Sequence, residues 1–268
     1  MDFPIQHTPG FLENAATGGT VTASVTTHTK GSYAGLITST AYDADGIMVA
    51  LQQSSTVAGG LMDFAVGAAG SEQIVMANVI IGQTARLTTY VFIPISLPSG
   101  SRVAARCQST VSSQAYAVAT HLYRAGLWGP PPGGTIVTLG ADISDSGGQV
   151  IDPGGTVDTY GSWAQLSAST SQDIAAVYLM LANRQNSAPA DQSVNFYLQL
   201  GIGAAASEVL VWGPIRFSSS STGMYGPLPA AWFPVSIPAG SRLVARARAG
   251  TNDATDRLFD LVVYGLVV

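Results

Sequence analysis

Carboxylates and guanidinium groups recur at related positions in two parts of this sequence, and their pairing is the first chemistry that the residues suggest. The chain has only three glutamates, and two of them close the similar segments GAAGSE and GAAASE. Arginines recur in PSGSRVAAR and PAGSRLVAR. Since only 10% of the residues are charged, a repeated charge should have a partner. Structural ion pairs are therefore predicted, with solvated charges or a catalytic acid as the alternatives. The residues are Glu72, Arg102 and Arg106 in the first part, and Glu208, Arg242 and Arg246 in the second.

Sequence motifs for catalysis and metal binding are missing. There is no GxSxG, no HExxH and no phosphate-binding GK followed by Ser or Thr. The three histidines (His7, His28 and His121) lie far apart and have no repeated partners, and the DADG segment at 43–46 is typical of a turn. We expect no catalytic residues, no metal and no cofactor, and hence a protein that is not an enzyme.

Aromatic residues offer a second kind of site. An oligosaccharide is commonly held on an exposed aromatic ring beside amide or carboxylate groups, whereas packing in a core or an interface is the alternative role. Trp163 and Trp232 align with Tyr33 and Phe92 in the repeat, which favours a core position for both. The ligand-binding candidates are Trp128, Tyr160, Trp212 and Tyr225.

These groups belong to an internal repeat, which predicts a tandem duplication. The chain divides into a first domain over 1–128, a Pro/Gly linker over 129–134 with the sequence GPPPGG, and a second domain over 135–268. The repeated blocks, in chain order, are GGTV at 18–21 and 154–157, GSYAGL at 31–36 with GSWAQL at 161–166, VGAAGSE at 66–72 with IGAAASE at 202–208, and FIPISLPSGSRVAAR at 92–106 with WFPVSIPAGSRLVAR at 232–246.

The elements that must position these residues are strands. Residues 101–108 alternate between polar and apolar side chains with a period of two, as a half-exposed strand does, and the copy at 241–248 repeats the pattern. Further runs rich in β-branched and aromatic residues end at Gly, Ser, Pro or Asn. About eight strands in each half predict an all-β protein of two tandem, homologous, antiparallel β-sandwich domains of jelly-roll type.

Composition excludes several classes of partner. The 268 residues carry a net charge of −5, with 11 basic against 16 acidic residues, too acidic for a surface that follows nucleic-acid phosphates. No apolar run is long enough for a membrane span, and the first residues lack a secretory leader. We expect synthesis in a host cytoplasm. The single lysine, Lys30, and the Ser/Thr/Gly-rich composition are typical of extracellular assemblies and virions.

The blocks GAAGSEQIV, FIPISLPSGSRVAARCQS and WFPVSIPAGSRLVARARA resemble uncharacterised structural proteins of tailed bacteriophages. The resemblance implies a virion component of tail, fibre or head-decoration type, located in the particle, and it transfers no catalytic residues. Other virion proteins and further copies of the chain are the partners it implies.

Two functions follow as expectations. The first is a non-enzymatic structural virion protein that assembles through its sandwich surfaces, as a homo-oligomer or with other virion proteins. The alternative is a carbohydrate-binding or receptor-binding module that attaches to a glycan on a host cell.

Overall fold

The computed structural model of the chain describes most of the sequence. The described residues are 6–7, 19–53, 58–81, 89–123, 134–183, 194–220, 223–225, 232–250 and 258–267. They form strands joined by turns, and every strand pair is antiparallel. The predicted all-β, antiparallel fold is confirmed. Among these residues we find no helix that has the length and apolar character needed to cross a membrane.

The strands up to Tyr123, which we call the first half, form two sheets. One has the order β1-β9-β4-β7, with β2 also paired to β9, and the other has the order β3-β8-β5-β6. The strands are β1 (Gln6–His7), β2 (Gly19–Thr22), β3 (Ala34–Ile37), β4 (Gly46–Gln53), β5 (Gly60–Val66), β6 (Gln73–Ile81), β7 (Thr89–Ile93), β8 (Val103–Ser109) and β9 (Ala115–Tyr123).

The strands from Thr135 onward, the second half, form two further sheets. Their orders are β11-β12-β20-β14-β18, with β10 paired to β20, and β13-β19-β15-β16-β17. The strands are β10 (Thr135–Leu139), β11 (Ala141–Asp142), β12 (Gly147–Ile151), β13 (Ala164–Ser167), β14 (Ile174–Asn183), β15 (Val194–Ile202), β16 (Val209–Ser220), β17 (Gly223–Tyr225), β18 (Phe233–Ile237), β19 (Leu243–Ala249) and β20 (Phe259–Val267).

Strand pairing relates the two halves. In the described residues no sheet combines strands from both halves, and the pairs β3–β8, β5–β8 and β5–β6 return as β13–β19, β15–β19 and β15–β16. The predicted linker lies outside the described residues except for Gly134. The domain boundaries therefore stay a prediction.

One of the repeated sequence blocks does not correspond in structure. Val21 lies in β2 and pairs with Tyr116, and its structural counterpart is Ile151, which pairs with Phe259. The second GGTV, at 154–157, instead lies in the turn before β13. Matching these two blocks was wrong, because a short Gly-rich sequence suits a strand end as well as a turn.

The repeated PSG and PAG segments form turns that side chains of a neighbouring loop hold. Asp43 Oδ1 accepts a 2.7 Å hydrogen bond from the Ser99 backbone N–H, and Thr40 Oγ1 donates to the Pro98 carbonyl at 2.8 Å. Gly100 has a φ of 85°, which favours glycine. The DADG segment thus uses its first aspartate to fix a turn. The second half repeats the device with Thr170, Asp173 and Gly240.

The second half covers part of the outward face of the β3-β8-β5-β6 sheet. The period-two pattern of 101–108 places Ala104 and Gln108 on the face that carries Arg102 and Arg106, which was expected to be exposed, but they are 0% and 2% exposed. Gln108 Nε2 donates to the Ile143 carbonyl of the second half at 2.7 Å, so the second half covers this end of the strand. The prediction of a half-exposed strand was wrong here, since periodicity within one half does not reveal what packs on it.

Side-chain donors of the second half bind backbone groups of the first. Tyr264 Oη donates to the Asn78 carbonyl at 2.8 Å and accepts from the Ile80 N–H at 3.0 Å. Trp232 Nε1 donates to the Phe92 carbonyl at 3.1 Å, so this tryptophan lies between the halves and not inside its own sandwich. The two halves are thus joined by directed hydrogen bonds and apolar packing.

Candidate functional site

The repeated glutamates each lie against one of the two repeated arginines. Arg102 Nη1 donates to Glu72 Oε1 at 3.0 Å, and Arg242 Nη1 donates to Glu208 Oε1 at 2.9 Å. Both carboxylate side chains are 7% exposed. Each arginine also donates to a carbonyl, that of Gly67 or Gly203, at the start of the turn that carries the glutamate. Each ion pair therefore stabilises the turn that carries its glutamate.

The glutamate pairs should make unfolding sensitive to acid. Hydrogen bonds from its own backbone N–H and from Arg102 lower the pKa of Glu72 below the ordinary 4.5, and the hydrogen bond from Arg242 lowers that of Glu208. A lowered pKa in the folded state contributes stability above about pH 4.5 that is lost as the pH falls through the lowered value. We expect the free energy of unfolding of Glu72→Gln/Glu208→Gln, from urea titrations between pH 7 and 3, to be lower than wild type at pH 7 and to fall less on acidification. Parallel curves would contradict this account.

The other two repeated arginines do not bind the glutamates, and of these two only Arg246 lacks an ion pair among the described residues, which corrects its assignment. Arg106 Nε donates to Asp63 Oδ2 at 3.0 Å, and Lys30 Nζ donates to Asp63 Oδ1 at 2.8 Å. The backbone N–H of Asn78 also donates to Oδ1. Asp63 is 3% exposed, so three donors compensate a buried carboxylate. Burial lowers the pKa of Lys30, which Asp63 opposes. Sequence reasoning missed Asp63 because it lies in the apolar run GLMDFAV and is not repeated.

In the second half the same location has no carboxylate. Gln199 occupies the position equivalent to Asp63. It pairs with Arg246 between β15 and β19, as Asp63 pairs with Arg106 between β5 and β8. Arg246 Nε donates to Gln199 Oε1 at 2.9 Å. Its guanidinium lies 4.2 Å from the ring centre of Trp163 and 4.7 Å from that of Tyr160. Trp163, assigned to the core from the repeat, thus lies on the outward sheet face. In the part of the chain that the structure describes, Arg246 is positioned by neutral groups.

A second difference between the halves is a row of three residues across the sheet. In the second half, Arg248 of β19, Tyr197 of β15 and Arg216 of β16 are directly paired. Arg248 lies 4.8 Å from the Tyr197 ring centre and donates to the Asp158 carbonyl at 3.3 Å. Its Nε is buried and has no hydrogen-bond partner in the described part of the chain. Arg216 Nη2 donates to Asn195 Oδ1 at 2.9 Å.

The matching row of the first half is apolar or neutral, and it is buried. It consists of Gln108, Leu61 and Ile80, which are 2%, 0% and 2% exposed. The second half binds its two ends through Ile143 and Tyr264. Equivalent positions therefore serve the contact between halves in one copy and carry two arginines in the other.

We call the second-half surface the arginine face: Tyr160, Trp163, Asn195, Tyr197, Gln199, Arg216, Arg246 and Arg248. Within the described residues, none of its three arginines has a carboxylate partner. Its aromatic rings hold guanidinium groups in place, which reduces the side-chain entropy lost when an anion binds. The face is thus a preorganised cationic surface on a protein with a net charge of −5.

The four candidate aromatics have different locations. Tyr160 belongs to the arginine face, where its ring contacts guanidinium groups and does not form an open platform. Trp212 packs on Phe233 with ring centres 4.8 Å apart, beside the hydrophobic core of the second half, which is the packing role. Trp128 and the side chain of Tyr225 lie outside the described residues. Sequence reasoning missed Tyr197, Arg216 and Arg248, because no pattern in one half showed which sheet face is covered.

A metal site is not found at the arginine face or elsewhere in the described residues, since no group of three His, Cys, Asp or Glu side chains converges there. Cys107 is buried in the hydrophobic core of the first half, and burial raises the pKa of its thiol to about 12, which suits a core residue and not a nucleophile.

Comparison with known proteins gives weak structural similarities. No protein family and no curated protein matches the chain. Two structures of PNGF-II, in space groups C2 and P21, align at a TM-score of 0.37 and 8% identity, over 100% of this chain and 64% of theirs. The chain thus spans about two thirds of the length of PNGF-II. PNGase F, a glycosylasparaginase from Flavobacterium meningosepticum, aligns at a TM-score of 0.29 and 11% identity, over 100% of this chain and 94% of its own. The expectation that the chain is not an enzyme is contradicted by the enzyme among these structures, and it is withdrawn. No residue role is transferred at this level of similarity.

Proposed function

We propose that the second half of this chain binds acidic carbohydrate through the arginine face. One observation carries the proposal: the row Arg248–Tyr197–Arg216 stands where the first half has the buried row Gln108–Leu61–Ile80. The two end positions of this row contact the other half in the first half, whereas in the second half they carry arginines and face outward.

The charges favour a carboxylate as the ligand group. Arg246 and Arg248 lie two residues apart on β19 and are surrounded by rings, amides and carbonyls. A guanidinium with a fixed plane donates two parallel hydrogen bonds to a carboxylate. An anion would thus supply the charge that Asp63 supplies in the first half.

The neutral groups favour a saccharide over an acidic protein surface. Asn195 accepts hydrogen bonds from Arg216 and Ser218 on its Oδ1, which directs its amide nitrogen away from them as a donor. Amide groups beside tyrosines match the hydroxyls of a sugar. A protein partner would be expected to meet an apolar centre, and the replacement of buried Ile80 by exposed Arg216 removes one.

The predicted location in a virion remains a separate prediction. A particle that attaches to a cell through a surface glycan would use such a face, and assembly with copies of the chain or other virion proteins could proceed through other surfaces. The position and copy number of the chain in a purified particle test that prediction.

Binding to galacturonic acid oligosaccharides tests the proposal. By isothermal titration calorimetry, we expect wild type to bind tetragalacturonate and not the neutral maltotetraose. Arg248→Gln, which introduces the first-half residue, should weaken binding roughly tenfold, the effect of losing one charged hydrogen bond. Added salt should also weaken it.

A first-half control is Arg106→Gln, at the position equivalent to Arg246, which should leave the affinity of the folded protein unchanged. Equal binding of maltotetraose, or an unchanged affinity in folded Arg248→Gln, would contradict the proposal. Preference for an acidic peptide or an oligonucleotide over tetragalacturonate would assign the face to a different partner.

A further inference from the structure

The three arginines of the arginine face each contact a side chain of the same strand, β15. Successive outward residues of β15 are Asn195, Tyr197 and Gln199, and each contacts one guanidinium. Arg216 binds Asn195, Arg248 stacks on Tyr197, and Arg246 binds Gln199. Because outward residues recur about every 6.6 Å along a strand, the contacts extend over roughly 13 Å of β15.

Two strands supply the three charges from opposite sides. Arg246 and Arg248 come from β19, and Arg216 comes from β16 on the other edge of β15. The backbones of β19 and β16 are about 10 Å apart, two strand spacings. A single carboxylate cannot contact both ends of such a row, whereas one acid can be held near Tyr197 and Gln199 and another near Asn195.

We infer that the ligand is a polymer with acidic groups on several sugars, lying along β15, and not a single terminal acidic sugar. This inference rests on the proposed function and adds that Arg216 forms a separate subsite. The first half has no such row, since Gly59, Leu61 and Asp63 are the residues matching Asn195, Tyr197 and Gln199.

Chain length tests the inference. Galacturonic acid and tetragalacturonate would be titrated into wild type and Arg216→Gln. We expect wild type to bind the tetramer at least about tenfold more tightly than the monomer, beyond the roughly fourfold gain from four equivalent sugars alone. Arg216→Gln should remove most of that gain and leave the monomer affinity within about twofold of wild type.

The outcomes separate this inference from the proposed function. A tetramer bound no more than about fourfold tighter than the monomer overturns the inference and leaves the proposed function intact, as does an Arg216→Gln variant that keeps the full gain. A wild-type protein that binds neither probe overturns both. Arg216 is exposed, so the variant should fold. Asn195→Ala, which removes the acceptor that orients Arg216, provides a second test and should lower tetramer affinity alone.

Discussion

Replacing Asp63 by asparagine should lower the free energy of unfolding by about 3 kcal/mol, as expected when one member of a buried ionic group is removed. The carboxylate is 4% exposed and compensates Lys30 and Arg106, whose side chains are 17% and 32% exposed. An amide keeps the shape but leaves two cations close together. Urea unfolding at pH 7, followed by tryptophan fluorescence, measures the change.

The control for Asp63 lies in the second half. Gln199→Asn shortens a side chain at the equivalent position without removing a charge, and it should cost less than about 1 kcal/mol. Lys30→Met combined with Asp63→Asn should recover part of the loss, because the excess positive charge is reduced. If Asp63→Asn costs no more than the control, Asp63 does not hold the cluster together.

Placing the missing carboxylate in the second half should have the largest effect on binding. Gln199→Asp would put an anion beside Arg246, as Asp63 lies beside Arg106. We expect tetragalacturonate affinity to fall about a hundredfold, since the new charge pairs with Arg246 and repels an acidic ligand. Calorimetric titration with the tetramer measures the loss.

Two further variants of Gln199 test whether the added negative charge causes the loss of affinity in Gln199→Asp. Gln199→Glu places the same charge one methylene farther out and should weaken binding in the same direction, whereas Gln199→Asn should retain most of the affinity. Thermal unfolding of Gln199→Asp should show a stability close to wild type, because the carboxylate has a cationic neighbour. An affinity that is insensitive to the added charge would place the ligand elsewhere on the molecule.

The strands and their antiparallel arrangement could be predicted from the sequence, whereas the candidate site could not. Alternation and repeated turn residues depend on local geometry, so the all-β fold and the pairing of Glu72 with an arginine are accessible from the sequence. The arginine face depends on which outward surface the other half covers. Ile80 and Arg216 occupy equivalent positions, but β5–β6 and β15–β16 share few identical residues, so only the strand register relates them.

The signal that could have identified the face was the loss of a charge between copies. Asp63 and Gln199 differ in charge, while Arg106 and Arg246 are retained. An arginine that is retained while an amide stands in place of its acidic partner has a positive charge that this partner no longer compensates. Comparing the two halves for ion pairs that only one half can form, and not only for identical residues, would have identified Arg246.

The hydroxyl of Tyr264 makes the first half dependent on the second. It satisfies the backbone carbonyl of Asn78 and the N–H of Ile80, two groups that the second half shields from water. Separating the halves would transfer those groups to water and expose the apolar side chains that the second half covers. Substitutions on the covered sheet face of the first half would therefore disturb the contact between the halves, whereas residues of the arginine face can change without disturbing it.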